Sequence, residues 1–182
     1  MMDFGGWLGR RTLIVGEAGS GKTRVLASFL DYLLERVPSR EITVIDMAPR
    51  RVKGVGGLLE DYTPSVWRVR YLRPWKITPP RLTGRTSEEV KRYAWENREA
   101  LEPLIEEYLS KPTPTLLIND ITIYLHAGST ERIKQMITHA STFAATAYKG
   151  VRLQDDKGSS ISRREREELE RLVELMDQVV EV

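Results

Sequence analysis

The sequence predicts an α/β fold in three layers, α/β/α, built on a mainly parallel sheet of about five strands. Three observations carry that prediction. Short runs of branched and apolar residues recur at 12–15, 42–45, 115–118 and 142–148. Segments whose apolar residues repeat at helical spacing lie between them. The opening unit reads strand, glycine-bearing turn, helix, strand, which is how a parallel sheet begins.

Each element follows from its residues. Thr12-Leu-Ile-Val15 is a buried strand closed by Gly16. Leu26, Phe29, Leu30, Leu33, Leu34 and Val37 lie along one face of a helix that Pro38 stops. Ile42-Thr-Val-Ile45 is the next buried strand and closes at Asp46. RRVKGVGG reads as a loop, and Val66–Leu72 alternates like an exposed or edge strand before Pro74, Pro79 and Pro80 forbid regular structure. Thr86-Ser-Glu-Glu89 has capping-box spacing, so a helix is expected from about 87, turning Val90, Tyr93, Ala94, Leu101, Leu104, Ile105 and Tyr108 inward, with a kink at Pro103. Thr115-Leu-Leu-Ile118 is the third core strand, and a helix is expected over about 130–140. The small residues of Thr142–Tyr148 suit a strand in the middle of the sheet. Ser162-Arg-Arg-Glu165 is a second capping box, opening a helix that buries Leu169, Leu172, Val173 and Met176, and 178–182 makes the last strand.

Composition removes several function classes. The 182 residues contain no cysteine, so a disulfide framework, a thiol nucleophile and a thiolate metal site are excluded. His126 and His139 are the only imidazoles, too few for a multi-histidine centre, and read as surface or packing residues. No apolar run approaches a membrane span, and MMDFGGWLGRR lacks the apolar core of a secretory signal. A cytoplasmic protein with no membrane partner is the expectation.

Chemistry enters between the first strand and the first helix. Gly16-Glu-Ala-Gly-Ser-Gly-Lys-Thr23 matches G-x-x-x-x-G-K-[ST], the Walker A pattern. Its glycines let the chain wrap so that backbone N–H groups converge on phosphate oxygens. The helix N-terminus that follows adds partial positive charge. Lys22 reaches the β- and γ-phosphates, and the Thr23 hydroxyl ligates Mg²⁺. Gly16, Glu17, Ala18, Gly19, Ser20, Gly21, Lys22, Thr23 and Arg24 are therefore the expected nucleotide-binding set.

On these residues the chain resembles P-loop NTPases over nearly its whole length, in the division with an extra strand between the P-loop and Walker B strands. RecA-like ATPases and the corrinoid adenosyltransferases belong there. The resemblance implies one P-loop NTPase domain over 1–182, using ATP and Mg²⁺, with a basic aromatic-containing insertion at about 48–86. It implies that Thr142–Tyr148 is the intervening strand and that Thr146 senses the γ-phosphate. It also implies an acid for Mg²⁺ at the end of Thr115–Ile118. There the chain departs from the family, which shows Asp then Glu, because it reads Asn119-Asp120-Ile121. In one register Asp120 is the magnesium acid and Ile121 replaces the activating Glu. In the other, Asn119 stands in place of the magnesium acid and Asp120 is a shortened base. The expected set is Lys22, Asp120 and Thr146 as catalytic residues, with Thr23 and Asp120 on the metal. The irregular Walker B implies an ATPase that is slow or waits for a partner.

Other polar residues keep two readings. Glu17 points to solvent or faces the attacking water. Asp46 caps a turn or orients a water. Lys149 is a solvated loop lysine or reaches phosphate, in this subunit or across an interface. The stretch Thr146-Ala-Tyr-Lys149-Gly lacks the Asp of a guanine-reading element, which favours ATP over GTP.

Charge is unevenly spread. Net charge is +2, yet residues 48–92 carry eleven basic and four acidic side chains, interleaved with Trp67, Tyr71 and Trp75. Arginine among aromatics suits a nucleic-acid surface, a nucleotide lid or a protein interface, and equally a solvated face whose tryptophans turn inward. Arg68, Arg70 and Lys76 are the residues a nucleic acid would use. Three functions stay open: a partner-coupled ATPase, an ATP-dependent transferase of the adenosyltransferase type, and a non-hydrolysing nucleotide sensor. RecA-like relatives often form rings, so a homo-oligomer with an arginine supplied in trans is also an expectation, with no sequence feature selecting the arginine.

Overall fold

Strand-forming runs and helical runs alternate along residues 2–182, which a computed structural model describes. The first strand, β1 (Arg11–Gly16), leads through the glycine loop into α1 (Lys22–Leu34) and then β2 (Ile42–Asp46). A long excursion follows, containing β3 (Arg70–Leu72) and the short α2 (Pro80–Thr83). The helix α3 (Ser87–Ser110) runs through Pro103 and delivers the chain to β4 (Thr115–Asn119). Then come α4 (Thr122–Leu125), α5 (Thr130–Ile137), β5 (Thr142–Tyr148), α6 (Ile161–Glu174) and β6 (Gln178–Glu181).

The six strands form one sheet in the order β3-β2-β4-β5-β1-β6, and every pairing is parallel. β5 lies between β1 and β4, as the resemblance to P-loop NTPases implies. Its small residues let helices approach both faces. The sheet alternates sides residue by residue. Ile14, Leu117 and Ala144 face α1, where Leu26, Phe29, Leu30 and Leu33 are fully buried. Leu13, Val15, Leu116, Ile118 and Phe143 face the opposite layer, where Leu101, Ile105, Ile133 and Leu172 come from α3, α5 and α6. Each such fully buried side chain contributes about 1.5–3 kcal/mol.

Three local expectations change. The sheet has six strands because β3 joins at its edge, but only Arg70–Leu72 pairs. Residues Pro64–Arg68 instead form a 3₁₀ turn, with Pro64 in its first turn and Thr63 Oγ1 accepting from Ser65 N–H. The Thr86 box is half formed, since Thr86 Oγ1 accepts from Glu89 N–H while the Glu89 carboxylate takes Arg85 N–H. The second capping box is not a cap at all. α6 begins two residues earlier, at Ile161 with Ser160 as N-cap, and Ser162 and Glu165 are buried within it, bound to Arg81. Of the residues assigned to its inner face, Val173 is exposed.

Because all strands are parallel, the carboxyl ends of β1, β2, β4 and β5 open on one edge of the sheet. The loops leaving them surround a crevice, the position where open α/β sheets bind ligands.

Candidate nucleotide-binding site

The glycine loop has the backbone its sequence demands. Gly19 and Gly21 have φ of +77° and +102°, in the left-handed region, and Gly21 is the N-cap of α1. Gly16 is required for space rather than conformation, since a Cβ there would lie 2.3 Å from the Val182 carbonyl oxygen. The loop, Lys22, Thr23 and Arg24 form one wall of a cavity of about 710 Å³. That volume falls within the usual range for small-molecule sites.

Lys22 Nζ donates to the Glu17 carbonyl at 2.7 Å. Burial lowers its pKa, while Asp120 and Glu17 pull the charge back. The Glu17 side chain turns away from the cavity and settles its two readings differently from either. It accepts from the N–H groups of Ala18 (2.9 Å), Val151 (2.8 Å) and Arg152 (3.2 Å). Burial opposes its ionisation, yet these donors hold its pKa down at about 2. Arg152 returns a bond to the Ala18 carbonyl at 3.1 Å. Glu17 therefore ties the glycine loop to the β5–α6 connection. A Cβ at Gly150 would come 2.3 Å from the Glu17 carboxylate, so any larger residue there displaces that side chain.

At the floor, β4 and β5 present a polar network. Asn119 is fully buried. Its Oδ1 accepts from Thr146 Oγ1 at 2.9 Å and from Thr23 Oγ1 at 3.3 Å. Its Nδ2 donates to Asp46 Oδ1 at 3.0 Å and to the Gly57 carbonyl at 3.2 Å. Thr23 thus touches Asn119, which stands one residue before the carboxylate. Asp120 has a left-handed φ of +58°, its N–H donates to Thr146 Oγ1 at 2.7 Å, and its carboxylate takes Thr122 Oγ1 at 3.1 Å. Burial raises its pKa against the pull of Lys22. Lys22, Thr23, Asp120 and Thr146 all line the same cavity.

Asp46 is not a simple turn cap. It is fully buried and accepts from Leu59 N–H, Tyr71 Oη, Asn119 Nδ2 and Ala48 N–H. Burial pushes its pKa up to about 6 in spite of those donors. It pins the excursion after β2, through Leu59 and Tyr71, to Asn119 at the end of β4. Lys149 lies at the surface, paired with Glu181 at 3.3 Å.

The far wall was missed from sequence. Arg81, from the basic run, is buried and forks onto Glu165 at 2.9 and 3.1 Å, with Ser162 Oγ at 2.9 Å. Glu165 Oε2 also binds His126 Nε2 at 2.5 Å. Although burial opposes ionisation, His126 and Arg81 keep the Glu165 pKa below its ordinary value. His126 is therefore a buried network residue, whereas His139 is exposed. No spacing rule joins residues 81, 126 and 165. The one available signal was an arginine following two prolines, in a segment otherwise read as irregular.

The basic run does not act as one surface. Arg81 is buried, and Arg70 packs over the Tyr108 ring at 5.6 Å. Arg68 and Lys76 are exposed beside Trp67 and Trp75, which are 64% and 98% exposed, so these tryptophans do not turn inward. No described helix is long and apolar enough to cross a membrane. Among the described residues, no cluster of three or more acidic or imidazole ligands is present.

No protein-family model matches the chain, and no curated protein matches it. Among solved structures it is similar to the Hef helicase domain of Pyrococcus furiosus, at 15% identity with a TM-score of 0.44. It is also similar to the Pif1 helicase of Candida albicans, at 14% identity with a TM-score of 0.36. Each alignment covers 95% of this chain but only 35% and 36% of the other, so the chain spans about a third of those structures.

Proposed function

We propose that this chain is an ATP-binding P-loop protein with Mg²⁺-dependent hydrolysis that is slow or stimulated by a partner. The observation that supports it best is the convergence of the glycine loop, Lys22, Thr23, Asp120 and Thr146 on one cavity at the carboxyl ends of the strands. The loop N–H groups and Lys22 hold the phosphates. Mg²⁺ wants hard oxygen donors, and the floor offers the Thr23 hydroxyl and the Asp120 carboxylate. Thr23 now donates its proton to Asn119, which leaves its lone pairs available to a cation. The two carboxylates lining the cavity are Asp120 and Glu165, and Glu165 is already committed to Arg81 and His126. Asp120 is thus assigned to the metal and to polarising water. The bonds of Thr146 to Asn119 and Asp120 support reading it as the γ-phosphate sensor. Slow turnover follows from the neutral Asn119 amide beside Thr23, where the P-loop relatives carry an acid.

ATP binding by calorimetry, with phosphate release measured in parallel for wild type and Lys22→Ala, tests this reading. Binding lost in the variant, with wild-type release well below one per second by an order-of-magnitude comparison with typical enzymes, supports it. Absence of ATP binding by the wild-type protein overturns it. A second reading, phosphoryl or adenosyl transfer to an acceptor, is favoured by the extension of the cavity past the glycine loop to Arg81, His126 and Tyr148. Acceptor-dependent product in place of free phosphate distinguishes it. For a polyanionic partner such as nucleic acid, the exposed Trp67, Arg68, Trp75 and Lys76 form the proposed contact.

A further inference from the structure

Asn119, Asp46 and Tyr71 lie behind the floor of the nucleotide cavity and do not line it. Asp46 is fully buried, and each of its oxygens accepts from one backbone N–H and one side chain. Oδ2 takes Leu59 N–H and Tyr71 Oη, both at 2.6 Å. Oδ1 takes Ala48 N–H at 3.3 Å and Asn119 Nδ2 at 3.0 Å. A backbone N–H can only donate, so both carboxylate oxygens are held as acceptors.

That arrangement fixes the sense of the Asn119 amide, which donates at one end and accepts at the other. Its NH₂ end faces two acceptors, the Asp46 carboxylate and the Gly57 carbonyl. Turned over, the amide oxygen would face both of them, leaving buried acceptors against one another. The oxygen end therefore meets the two hydroxyls, Thr146 at 2.9 Å and Thr23 at 3.3 Å. Thr146 Oγ1 already accepts Asp120 N–H at 2.7 Å, so its own proton suits Asn119 Oδ1, whereas a reversed amide would set a second donor on it. Thr23 lines the cavity, and its proton is drawn back towards Asn119, away from the position of a cation. A reversed amide would instead donate to Thr23 Oγ1, occupy a lone pair and turn the hydroxyl proton outwards.

We propose that Asp46 is a positioning residue for Mg²⁺ binding: through the Asn119 amide it sets the direction of the Thr23 hydroxyl, from outside the cavity. The proposal rests on the reading of Thr23 as a Mg²⁺ ligand. It gives Asp46 a role that needs no water, since both its oxygens are committed to protein donors.

The test separates the metal's contribution from that of the fold. ATP is titrated by calorimetry with Mg²⁺ and again with EDTA, above the pH of about 6 at which Asp46 titrates. The proteins are wild type, Asp46→Asn, Tyr71→Phe and the swap of Asn119→Asp with Asp46→Asn. A merely loosened fold weakens both titrations alike, so the ratio of the two affinities isolates the metal's part. In Asp46→Asn the new amide keeps its oxygen on Leu59 N–H, the shorter of the two backbone contacts, and turns its NH₂ to Asn119, which reverses. The ratio is expected to fall at least about tenfold. Tyr71→Phe keeps the carboxylate and the amide sense, so its ratio stays within about twofold of wild type. In the swap, position 119 only accepts and the ratio returns to at least the wild-type value. The swap also pairs a donor with an acceptor, which keeps the test decisive where Asp46→Asn fails to fold. A wild-type ratio in Asp46→Asn overturns the proposal, as does a swap that gains nothing from Mg²⁺. A tenfold fall in Tyr71→Phe, about the size expected for Asp46→Asn, also overturns it, by tracing the effect to a loosened network. Wild-type protein that binds ATP equally well with Mg²⁺ and with EDTA overturns the reading of Thr23 as a ligand, and the proposal with it.

Discussion

Replacing Asn119 by Asp puts, on paper, an acid at the end of this strand, where the P-loop NTPases that the sequence resembles carry one. The structure says the single change is harmful. Asn119 Nδ2 now donates to the buried Asp46 carboxylate at 3.0 Å and to the Gly57 carbonyl at 3.2 Å. Asn119→Asp removes both donors and sets two carboxylates against each other with no cation between them. A hydrogen bond to a charged group contributes about 1.5–3 kcal/mol, and an orphaned buried carbonyl costs about 1–3 kcal/mol. The expected loss is about 3–5 kcal/mol, the range for a buried charge deprived of its partner. The pH dependence has a fixed sign. Asp46 already titrates at about 6, against an ordinary value of 3.8, and a second carboxylate raises the pair further. The folded variant then binds protons more tightly than its unfolded chain, so its stability falls as pH rises through that window. Urea denaturation at about pH 8 and about pH 5 reads the difference, with the defect largest at the higher pH. The exchange Asn119→Asp with Asp46→Asn returns a donor to the pair while Leu59 N–H and Tyr71 Oη keep an acceptor, so most of the loss should return. It also places a carboxylate beside Thr23, and Mg²⁺-dependent ATP affinity should rise. A single variant as stable as wild type at the higher pH, or a defect independent of pH, refutes this account of the floor.

Four further outcomes are expected. Lys22→Ala weakens ATP binding at least about tenfold by calorimetry while the thermal midpoint moves little, since its amine bonds only the Glu17 carbonyl. Glu17 is depressed from 4.5 to about 2, so the stability it lends is full above pH 4.5 and is lost as pH falls towards 2. Acid melts of wild type should show that loss and Glu17→Gln should not. Arg81→Ala leaves Glu165 buried against His126 alone and should cost about 3–5 kcal/mol by urea denaturation, with Arg81→Lys recovering only part because it cannot fork. Trp75→Ala, at a side chain 98% exposed, should change stability by less than about 0.5 kcal/mol, while lowering the affinity for single-stranded DNA in a fluorescence titration if that surface binds a polyanion.

The parts legible in the sequence were those whose information is contiguous. The alternation of apolar strands with helical repeats predicted the layers, and the eight residues from Gly16 to Thr23 predicted a glycine turn running into a helix, because glycine conformations and a following helix are local properties. Capping and turn signals were weaker. Thr86 caps α3 as its spacing suggests, but Ser162 and Glu165 carry the same pattern and do something else. A cap is worth about 1 kcal/mol, and leaving a buried arginine unpaired costs several, so Arg81 captures both side chains. Val66–Leu72 alternates like a strand, yet Pro64 and Thr63 turn its first half into a 3₁₀ segment.

By itself, then, the sequence determined an α/β chain with a glycine turn between its first strand and first helix, because backbone conformation and hydrophobic period act over a few residues. Only the tertiary structure decided that Asn119, not Asp120, touches Thr23, that Asp46 anchors the excursion between β2 and β3, and that Arg81, His126 and Glu165 meet. Those contacts join residues tens of positions apart across parallel crossovers. Which partner a buried polar group finds is settled by the whole sheet, since the cost of leaving it unpaired exceeds any local preference.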